Sequence, residues 1–129
     1  MIVLIDTHCW LWWISEPERL SGRILSLLKN SETTILFSAA SSWEIAIKYS
    51  IGKLSLPEPP ELFIPRRLER DRITSLPIHH SHAIRTASLP YHHRDPFDRL
   101  LIAQAEIEGV PIVTVDSAFR DYDVRLIEG

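Results

Sequence analysis

Two aspartates, Asp95 and Asp98, stand three residues apart at the start of the apolar run PFDRLLIAQAEIEG, residues 96–109. Asp95 is suited to cap a helix whose first residue is Pro96. Asp98 falls at the third helical position, where an acid can accept a hydrogen bond from the backbone N–H of the cap residue. Local structure therefore accounts for both. We interpret Asp95 as the cap and Asp98 as an acid in a cleft, because other acids are expected at the same place.

Three further acids end or begin predicted elements in a similar way. Asp6 ends the first predicted strand, Asp116 ends the fourth, and Glu44 lies in the first turns of the helix after the second strand. Each has an ordinary alternative, as a turn residue or as an acid that complements a helix dipole. In a parallel sheet, however, strand ends and the starts of the helices that follow them share one edge. The helix of Asp98 leads into the fourth strand and starts at that edge too, so four carboxylates should converge.

Converging carboxylates repel one another and raise one another's pKa, which makes such a cluster costly without a cation. Oxygen-only ligands suit Mg²⁺ or Mn²⁺. A divalent cation lowers the pKa of a bound water and neutralises charge on a phosphate under attack, so the pattern predicts a metal-assisted phosphoryl-transfer site. The net charge of −3 argues against a protein that binds nucleic acid through basicity alone, but a bound cation makes the local field less negative.

The elements that must position these acids alternate along the chain. Continuous apolar runs predict buried strands at residues 1–6, 33–39, 72–76 and 110–116, with a candidate fifth strand at 124–128. Helical spacing and caps predict helices at residues 7–14, 21–30, 41–54, 80–89 and 96–109. This alternation predicts an α/β fold, with a parallel sheet covered by helices on both faces.

Capping serines, a glycine and several prolines set the predicted ends of the third helix and of the loop that follows it. Ser41 or Ser42 is expected to cap the third helix, and Gly52 to end it. The segment 56–65 carries four prolines and is predicted to be a loop that leads into a basic helix, FIPRRLERD.

Bulk properties predict one domain over residues 1–129. The chain is 45% hydrophobic and 24% charged, as in ordinary globular proteins. No apolar run approaches the roughly 20 residues of a membrane span, and the opening MIVLID is too short for a signal peptide. Cys9 is the single cysteine and has no partner for an internal disulfide, so we expect a cytoplasmic protein.

The chain resembles PIN-domain ribonucleases, and more narrowly the VapC-type toxins of toxin–antitoxin pairs, over essentially all of its length. The resemblance rests on IDTHCWLWW, SAASSWEIAIKYSIGKL, RDPFDRLLIAQAEIEGVPIVTVD and YDVRLI, and DPFDRLLIAQA is specific to a subset of these toxins. It implies a three-layer α/β/α sandwich with a central, mainly parallel sheet of four to five strands. The invariant acids of the family fall on Asp6, Glu44, Asp98 and Asp116, which the resemblance makes the catalytic and metal-binding residues.

The resemblance also implies an activity and partners. It implies an endoribonuclease that uses Mg²⁺, or Mn²⁺, to cleave single-stranded or looped RNA and leaves a 5′-phosphate and a 3′-hydroxyl. A small VapB-like antitoxin would occlude the active groove. Trp10, Trp12 and Trp13 cannot all face one core from one short helix, so at least one is expected near the surface. It either fits an antitoxin groove or a homodimer contact, or is simply half-buried with no partner.

Several neighbours of the acids are candidates for supporting roles. Thr7 either caps the first helix or acts in the site, and Thr114 either binds a carboxylate or metal water or is an ordinary strand residue. Arg99, beside Asp98, is expected to contact RNA. Lys48, four residues after Glu44, either pairs with it or approaches phosphate.

Other polar residues near the site remain open. Asp121 and Asp123 either extend the acid set or sit in a turn. His92 and His93 either contact phosphate when protonated or lie in a solvated loop, which we favour. The six histidines lack cysteine partners and a finger-like spacing, which disfavours zinc.

Two alternative functions remain at this point. The first is a catalytically silent PIN-like module that binds RNA or protein. The second is a phosphoacceptor receiver domain, which also joins a doubly wound sheet to an acid cluster. A receiver needs paired acids after the first strand and an aspartate after the third, and the chain offers neither.

Overall fold

The computed structural model describes residues 1–128, and its centre is a sheet of five strands that are all parallel. The strands are β1 (Ile2–Ile5), β2 (Thr34–Ser38), β3 (Thr74–Leu76), β4 (Ile112–Thr114) and β5 (Leu126–Glu128). Their order is β3-β2-β1-β4-β5, so the winding direction reverses between β1 and β4. A doubly wound sheet binds ligands at such a switch point. Receiver domains have the order 2-1-3-4-5, so the receiver alternative is wrong.

Six α-helices flank the sheet. They are α1 (Thr7–Ser15), α2 (Gly22–Lys29), α3 (Ala39–Ser50), α4 (Pro60–Arg70), α5 (His80–Thr86) and α6 (Pro96–Glu108). Alternate strand residues enter two separate cores: Val3 and Ile5 pack with α1, α2 and α4, whereas Leu4 packs with α6. Both faces of the sheet are therefore covered, and the predicted three-layer α/β/α fold is confirmed.

The start of α3 differs from the prediction. Ser38, the last residue of β2, is the N-cap, and its hydroxyl accepts a hydrogen bond from the backbone N–H of Ala40. The expectation of Ser41 or Ser42 was wrong, because the chain passes from strand to helix with no intervening loop. Gly52, the predicted stop, follows the helix closely with φ of 75°.

The segment predicted as a proline-rich loop is helical in its second half. Helix α4 begins at Pro60, and Pro65 lies inside it. Proline is well tolerated in the first turn because the N–H groups there have no intrahelical partner. Burial of Ile64 and Leu68 against the first core offsets the cost of Pro65.

The tryptophans of α1 divide as expected. Trp10 is fully buried, while Trp12 and Trp13 are only partly buried at the edge of the core. Within residues 1–128, none of the helices combines the length and apolar character needed to cross a membrane.

Candidate active site

Four acids from four separate segments meet in one cleft at the switch point. Asp6 follows β1, Glu44 lies in α3, Asp98 lies in the first turn of α6, and Asp116 follows β4. The cleft has a volume of about 330 Å³. Its lining residues are Asp6, Thr7, His8, Leu11, Glu44, Lys48, Lys53, Leu54, Asp95, Asp98 and Asp116.

The neighbouring strands β1 and β4 hold Asp6 and Asp116. The backbone N–H of Asp6 donates to the carbonyl of Val113 at 2.9 Å. The hydroxyl of Thr114 donates to Asp6 Oδ2 at 2.9 Å and accepts from the backbone N–H of Asp116, also at 2.9 Å. Thr114 therefore links the two acids, and it binds a carboxylate, which was one of the two roles expected for it.

Helix α3 brings Glu44 to the cleft. Lys48 Nζ, one turn later, donates to Glu44 Oε2 at 2.6 Å, and this hydrogen bond raises the pKa of Lys48. Glu44 is only 6% exposed, and its other oxygen, Oε1, is buried with no hydrogen-bond partner in the described part of the chain. A buried carboxylate oxygen without a donor is costly unless a ligand satisfies it.

The start of α6 divides the two aspartates as predicted. Asp95 is the N-cap, and its carboxylate accepts from the backbone N–H of Phe97 at 2.8 Å. Asp98 is buried in the cleft, where its Oδ2 lies 2.7 Å from His93 Nε2. Gly109 ends the helix in the left-handed conformation, as expected.

Burial and mutual repulsion shift the acids strongly. The pKa of Asp6 is raised to about 7: desolvation is the largest cause, the charges of Asp98, Glu44 and Asp116 act in the same direction, and the hydrogen bond from Thr114 opposes them. The pKa of Asp98 is also raised to about 7, mainly by desolvation and then by repulsion from Asp95, Glu44 and Asp116, while the charge of Lys48 opposes the shift. These carboxylates resist carrying their charges together without a cation.

The residues present fit a divalent cation. The available ligands are carboxylates that line one cleft despite their repulsion, and Glu44 Oε1 is buried without a hydrogen-bond partner within residues 1–128. Oxygen donors of this kind suit Mg²⁺ and Mn²⁺. Cys9 is an unsuitable nucleophile, because burial and the charge of Asp6 raise the pKa of its thiol to about 12.

Thr7 lines the cleft without capping α1. The N-cap of that helix is Asp6, and the hydroxyl of Thr7 donates to Ser41 Oγ at 2.6 Å. This buried hydrogen bond fastens the start of α1 to the first turn of α3. Thr7 therefore fixes the position of α1, which follows Asp6, relative to α3, which carries Glu44.

The expectation that Arg99 contacts RNA was wrong. Arg99 is 5% exposed, and its guanidinium donates to backbone carbonyls at the end of α5 and in the loop that follows. The carbonyls are those of Thr86, Leu89, Pro90 and His93, at 2.7, 3.1, 2.8 and 3.3 Å. Arginine has five N–H donors in a rigid fork, which suits it to bind several carbonyls at once.

Tyr122 completes this arrangement, which we call the Arg99–Tyr122 clamp. Its hydroxyl accepts from Arg99 Nη1 at 3.2 Å and from the backbone N–H of His93 at 2.9 Å, and it donates to the carbonyl of Pro90 at 2.9 Å. Arg94, at the start of the same region, is exposed and lines a hollow outside the acid cleft. The clamp fixes the loop that precedes Asp98.

Sequence reasoning undervalued some residues of the cleft. His8 and Lys53 line it, but neither stands beside an acid in a recognisable pattern. His93 was expected in a solvated loop, whereas it contacts Asp98. Its position five residues before Asp98 was the one available signal. Asp121 and Asp123 are exposed and line a different hollow, so they do not extend the acid set.

Comparisons with known proteins agree with this geometry. A family model described as PIN domain matches residues 3–125. Ribonuclease VapC22 of Mycobacterium tuberculosis is 32% identical over 122 residues, which cover 93% of this chain and 91% of that protein. Ribonuclease VapC16 of the same organism is 44% identical over 57 residues, 44% of this chain and 40% of that protein.

Solved structures share the fold at low sequence identity. VapBC2 from Rickettsia felis, bound to a DNA fragment from its promoter, matches with a TM-score of 0.75 and 18% identity, covering 99% of this chain and 98% of that one. DNA-bound VapBC from Salmonella typhimurium has the same values. The family match over most of the chain, together with the similarity to VapC22 along nearly its full length, shows that this chain belongs to the PIN-domain family.

Proposed function

We propose that this protein is a magnesium-dependent endoribonuclease and the toxin of a type II toxin–antitoxin pair. The observation that carries the proposal is that Asp6, Glu44, Asp98 and Asp116 line one cleft, where Glu44 Oε1 is buried with no hydrogen-bond partner among residues 1–128. The names of the relatives, ribonucleases VapC22 and VapC16, support an RNA substrate. Mn²⁺ is the alternative cation, because it has similar oxygen preferences.

The four acids have distinct roles in this proposal. Asp6 and Asp116, joined through Thr114, would bind the cation from the strand side, and Glu44 and Asp98 would bind it from the helices. When bound, the cation lowers the pKa of a water and neutralises charge on the phosphate under attack. The hydroxyl of Thr114 fixes the rotamer of Asp6, so that its other oxygen stays available to the cleft.

Cationic side chains at the cleft supply the contacts with RNA. Lys48 is about half exposed although it pairs with Glu44, and Lys53 lines the same cleft. Both ammonium groups would bind phosphate oxygens on either side of the scissile bond. The substrate is single-stranded or looped RNA, and the products carry a 5′-phosphate and a 3′-hydroxyl.

The proposed antitoxin is a small VapB-like protein. Several similar solved structures are VapBC complexes, from Rickettsia felis, Salmonella typhimurium and nontypeable Haemophilus influenzae. An apolar hollow between α3 and α4, lined by Ala46, Tyr49, Ile64 and Pro65 among others, offers a surface next to the helix that carries Glu44. A segment of the antitoxin there would reach the cleft and exclude RNA.

A homodimer in the cytoplasm completes the proposal. Trp43 and Ile47 of α3 and Ile51, its C-cap, are exposed at four-residue spacing and form an apolar stripe. Such a stripe is typical of an interface surface. The oligomeric state of the purified chain, measured by light scattering, tests this part separately from catalysis.

RNA cleavage tests the enzymatic proposal against a catalytically silent binding module. Labelled RNA is incubated with the purified chain in Mg²⁺, with and without EDTA, alongside Asp6→Asn and Asp98→Asn. We expect cleavage by the wild type in Mg²⁺ alone. Asp123→Asn makes the same chemical change at an exposed acid outside the cleft and should cleave normally.

Three outcomes would contradict the proposal. Cleavage that survives EDTA, or that persists in the two cleft variants, would refute the metal mechanism. Absence of cleavage, in a chain shown to bind RNA and metal, would favour the silent module.

A further inference from the structure

A histidine outside the acid set contacts one of the acids of the cleft. The Nε2 atom of His93 lies 2.7 Å from Asp98 Oδ2. One ligand atom from each of His93, Asp98 and Asp116 can be chosen so that all three lie within 4.8 Å of one another. A carboxylate–imidazole–carboxylate group of this size can surround one metal ion. Its donor set differs from that of the four acids because it includes nitrogen.

The position of His93 is built by the surrounding structure. Its backbone N–H donates to the hydroxyl of Tyr122, and its carbonyl accepts from Arg99. The residue is thus held by both halves of the Arg99–Tyr122 clamp, and the same clamp binds three further carbonyls of the loop. A side chain needed only for solvation would not require its backbone to be fixed on both sides.

The partnerless oxygen of Glu44 supplies an independent indication of a ligand. This oxygen is buried in the wall of the same cleft. The hydrogen bond between His93 and Asp98 contains one proton, supplied by the ring or by the carboxyl group. A cation bound between the two groups would take the place of that proton, with the ring in the tautomer that presents a lone pair.

We infer that His93 is a nitrogen ligand of the divalent cation, presented to Asp98 and Asp116 by the Arg99–Tyr122 clamp. This inference rests on the proposed function and adds the chemical class of the cation. Mg²⁺ binds almost wholly through oxygen, whereas imidazole suits transition metals. The cleft should therefore discriminate in favour of Mn²⁺ over Mg²⁺, and His93 should be the origin of that preference.

Spectroscopy of bound Mn²⁺ tests the inference without any measurement of activity. The metal-free chain is titrated with Mn²⁺, and the pulsed electron paramagnetic resonance spectrum is searched for coupling to nitrogen. We expect coupling to one imidazole in the wild type and in His92→Ala, and none in His93→Ala. His92 is the matched control, because it is the adjacent, exposed residue of the same loop.

Affinities measured by calorimetry separate ligation from orientation. His93→Ala should bind Mn²⁺ at least about tenfold more weakly, with a smaller loss for Mg²⁺. Equal losses for the two ions, or an absence of nitrogen coupling in the wild type, would overturn the inference and leave His93 as a residue that only orients Asp98. Normal RNA cleavage together with either result would leave the proposed function intact. Failure of the wild type to bind either ion would refute both.

The clamp residues are tested as positioning residues. Tyr122→Phe keeps the ring and removes the hydroxyl that holds the loop at His93 and Pro90. We expect weaker nitrogen coupling and a lower preference for Mn²⁺ in a chain that remains folded. Unchanged coupling in Tyr122→Phe and in Arg99→Lys would show that His93 reaches the cation without the clamp.

Discussion

Asp98 and Arg99 are neighbours in sequence and both are buried, yet their surroundings are opposite. Asp98 is 9% exposed and faces other carboxylates, so desolvation and repulsion raise its pKa to about 7. Arg99 is 5% exposed, and four carbonyls and the hydroxyl of Tyr122 accept its hydrogen bonds. The buried carboxylate faces mainly like charges, whereas the buried guanidinium is surrounded by hydrogen-bond acceptors.

The difference distinguishes a functional charge from a structural one. A buried charge surrounded by acceptors fastens the chain, and its removal leaves several polar groups without partners. A buried charge surrounded by like charges destabilises the fold until a ligand binds. The acid cleft and the Arg99–Tyr122 clamp should therefore respond in opposite ways when their charges are removed.

The largest expected effect is on activity in the cleft. Glu44→Gln keeps the shape of the side chain and removes its charge, so it should lower kcat/KM for RNA cleavage roughly 1000-fold, or about 4 kcal/mol. Glu69→Gln, at an exposed position of α4, should leave cleavage unchanged. A loss below tenfold for Glu44→Gln would remove Glu44 from the proposed site. Single-turnover cleavage measures both.

The next effect is on the stability provided by the clamp. Arg99→Met removes the donors of four carbonyls and should lower the free energy of unfolding by about 3 kcal/mol. Arg94→Met is the matched control at an exposed neighbour and should change it little. Urea denaturation measures both. If the two variants were equally stable, the clamp would not be a structural feature.

Removing a charge from the cleft should raise the free energy of unfolding, whereas removing the charge of Arg99 lowers it. Asp98→Asn relieves repulsion, so in metal-free buffer at pH 8 it should raise the free energy of unfolding by about 1 kcal/mol. Added Mg²⁺ should reverse the order, because only the wild type gains binding energy from the cation. A metal-free Asp98→Asn variant less stable than the wild type would contradict this contrast.

The smallest expected effect is the pH dependence of the stability that Asp98→Asn gains in metal-free buffer. Asp98 has a pKa of about 7 in the folded chain against 3.8 for a free aspartate side chain, so between these pH values the folded state binds more protons. Its contribution to stability is therefore full below about pH 4 and is lost as the pH rises through 7. The advantage of Asp98→Asn should grow from pH 5 to pH 8 in metal-free buffer. A gain that shrank over this range would show the opposite shift.

The sequence predicted much of what positions the site. The apolar strands that end in Asp6 and Asp116 can be recognised from the sequence alone, and the parallel topology brings their ends together. Asp95 as the helix cap followed from the adjacent Pro96. Each of these inferences depends on local pattern and on a general rule of sheet topology.

Other features depend on contacts between distant segments. Arg99 is buried because Tyr122 and the carbonyls of a preceding loop surround it, which no local pattern reveals. His93 reaches Asp98 for the same reason. The cap of α3 was misplaced because serines at 38, 41 and 42 are equally suitable locally, and the end of β2 decides between them.

The central claim is that acids from distant segments act as one cation site. Calorimetric titration of the metal-free chain with Mg²⁺ tests it in Asp6→Asn, Asp98→Asn and the double variant. If the acids share one cation, each single variant should lose nearly all binding and the double variant should lose little more. Wild-type affinity in either single variant, or independent losses that add in the double variant, would contradict a shared site.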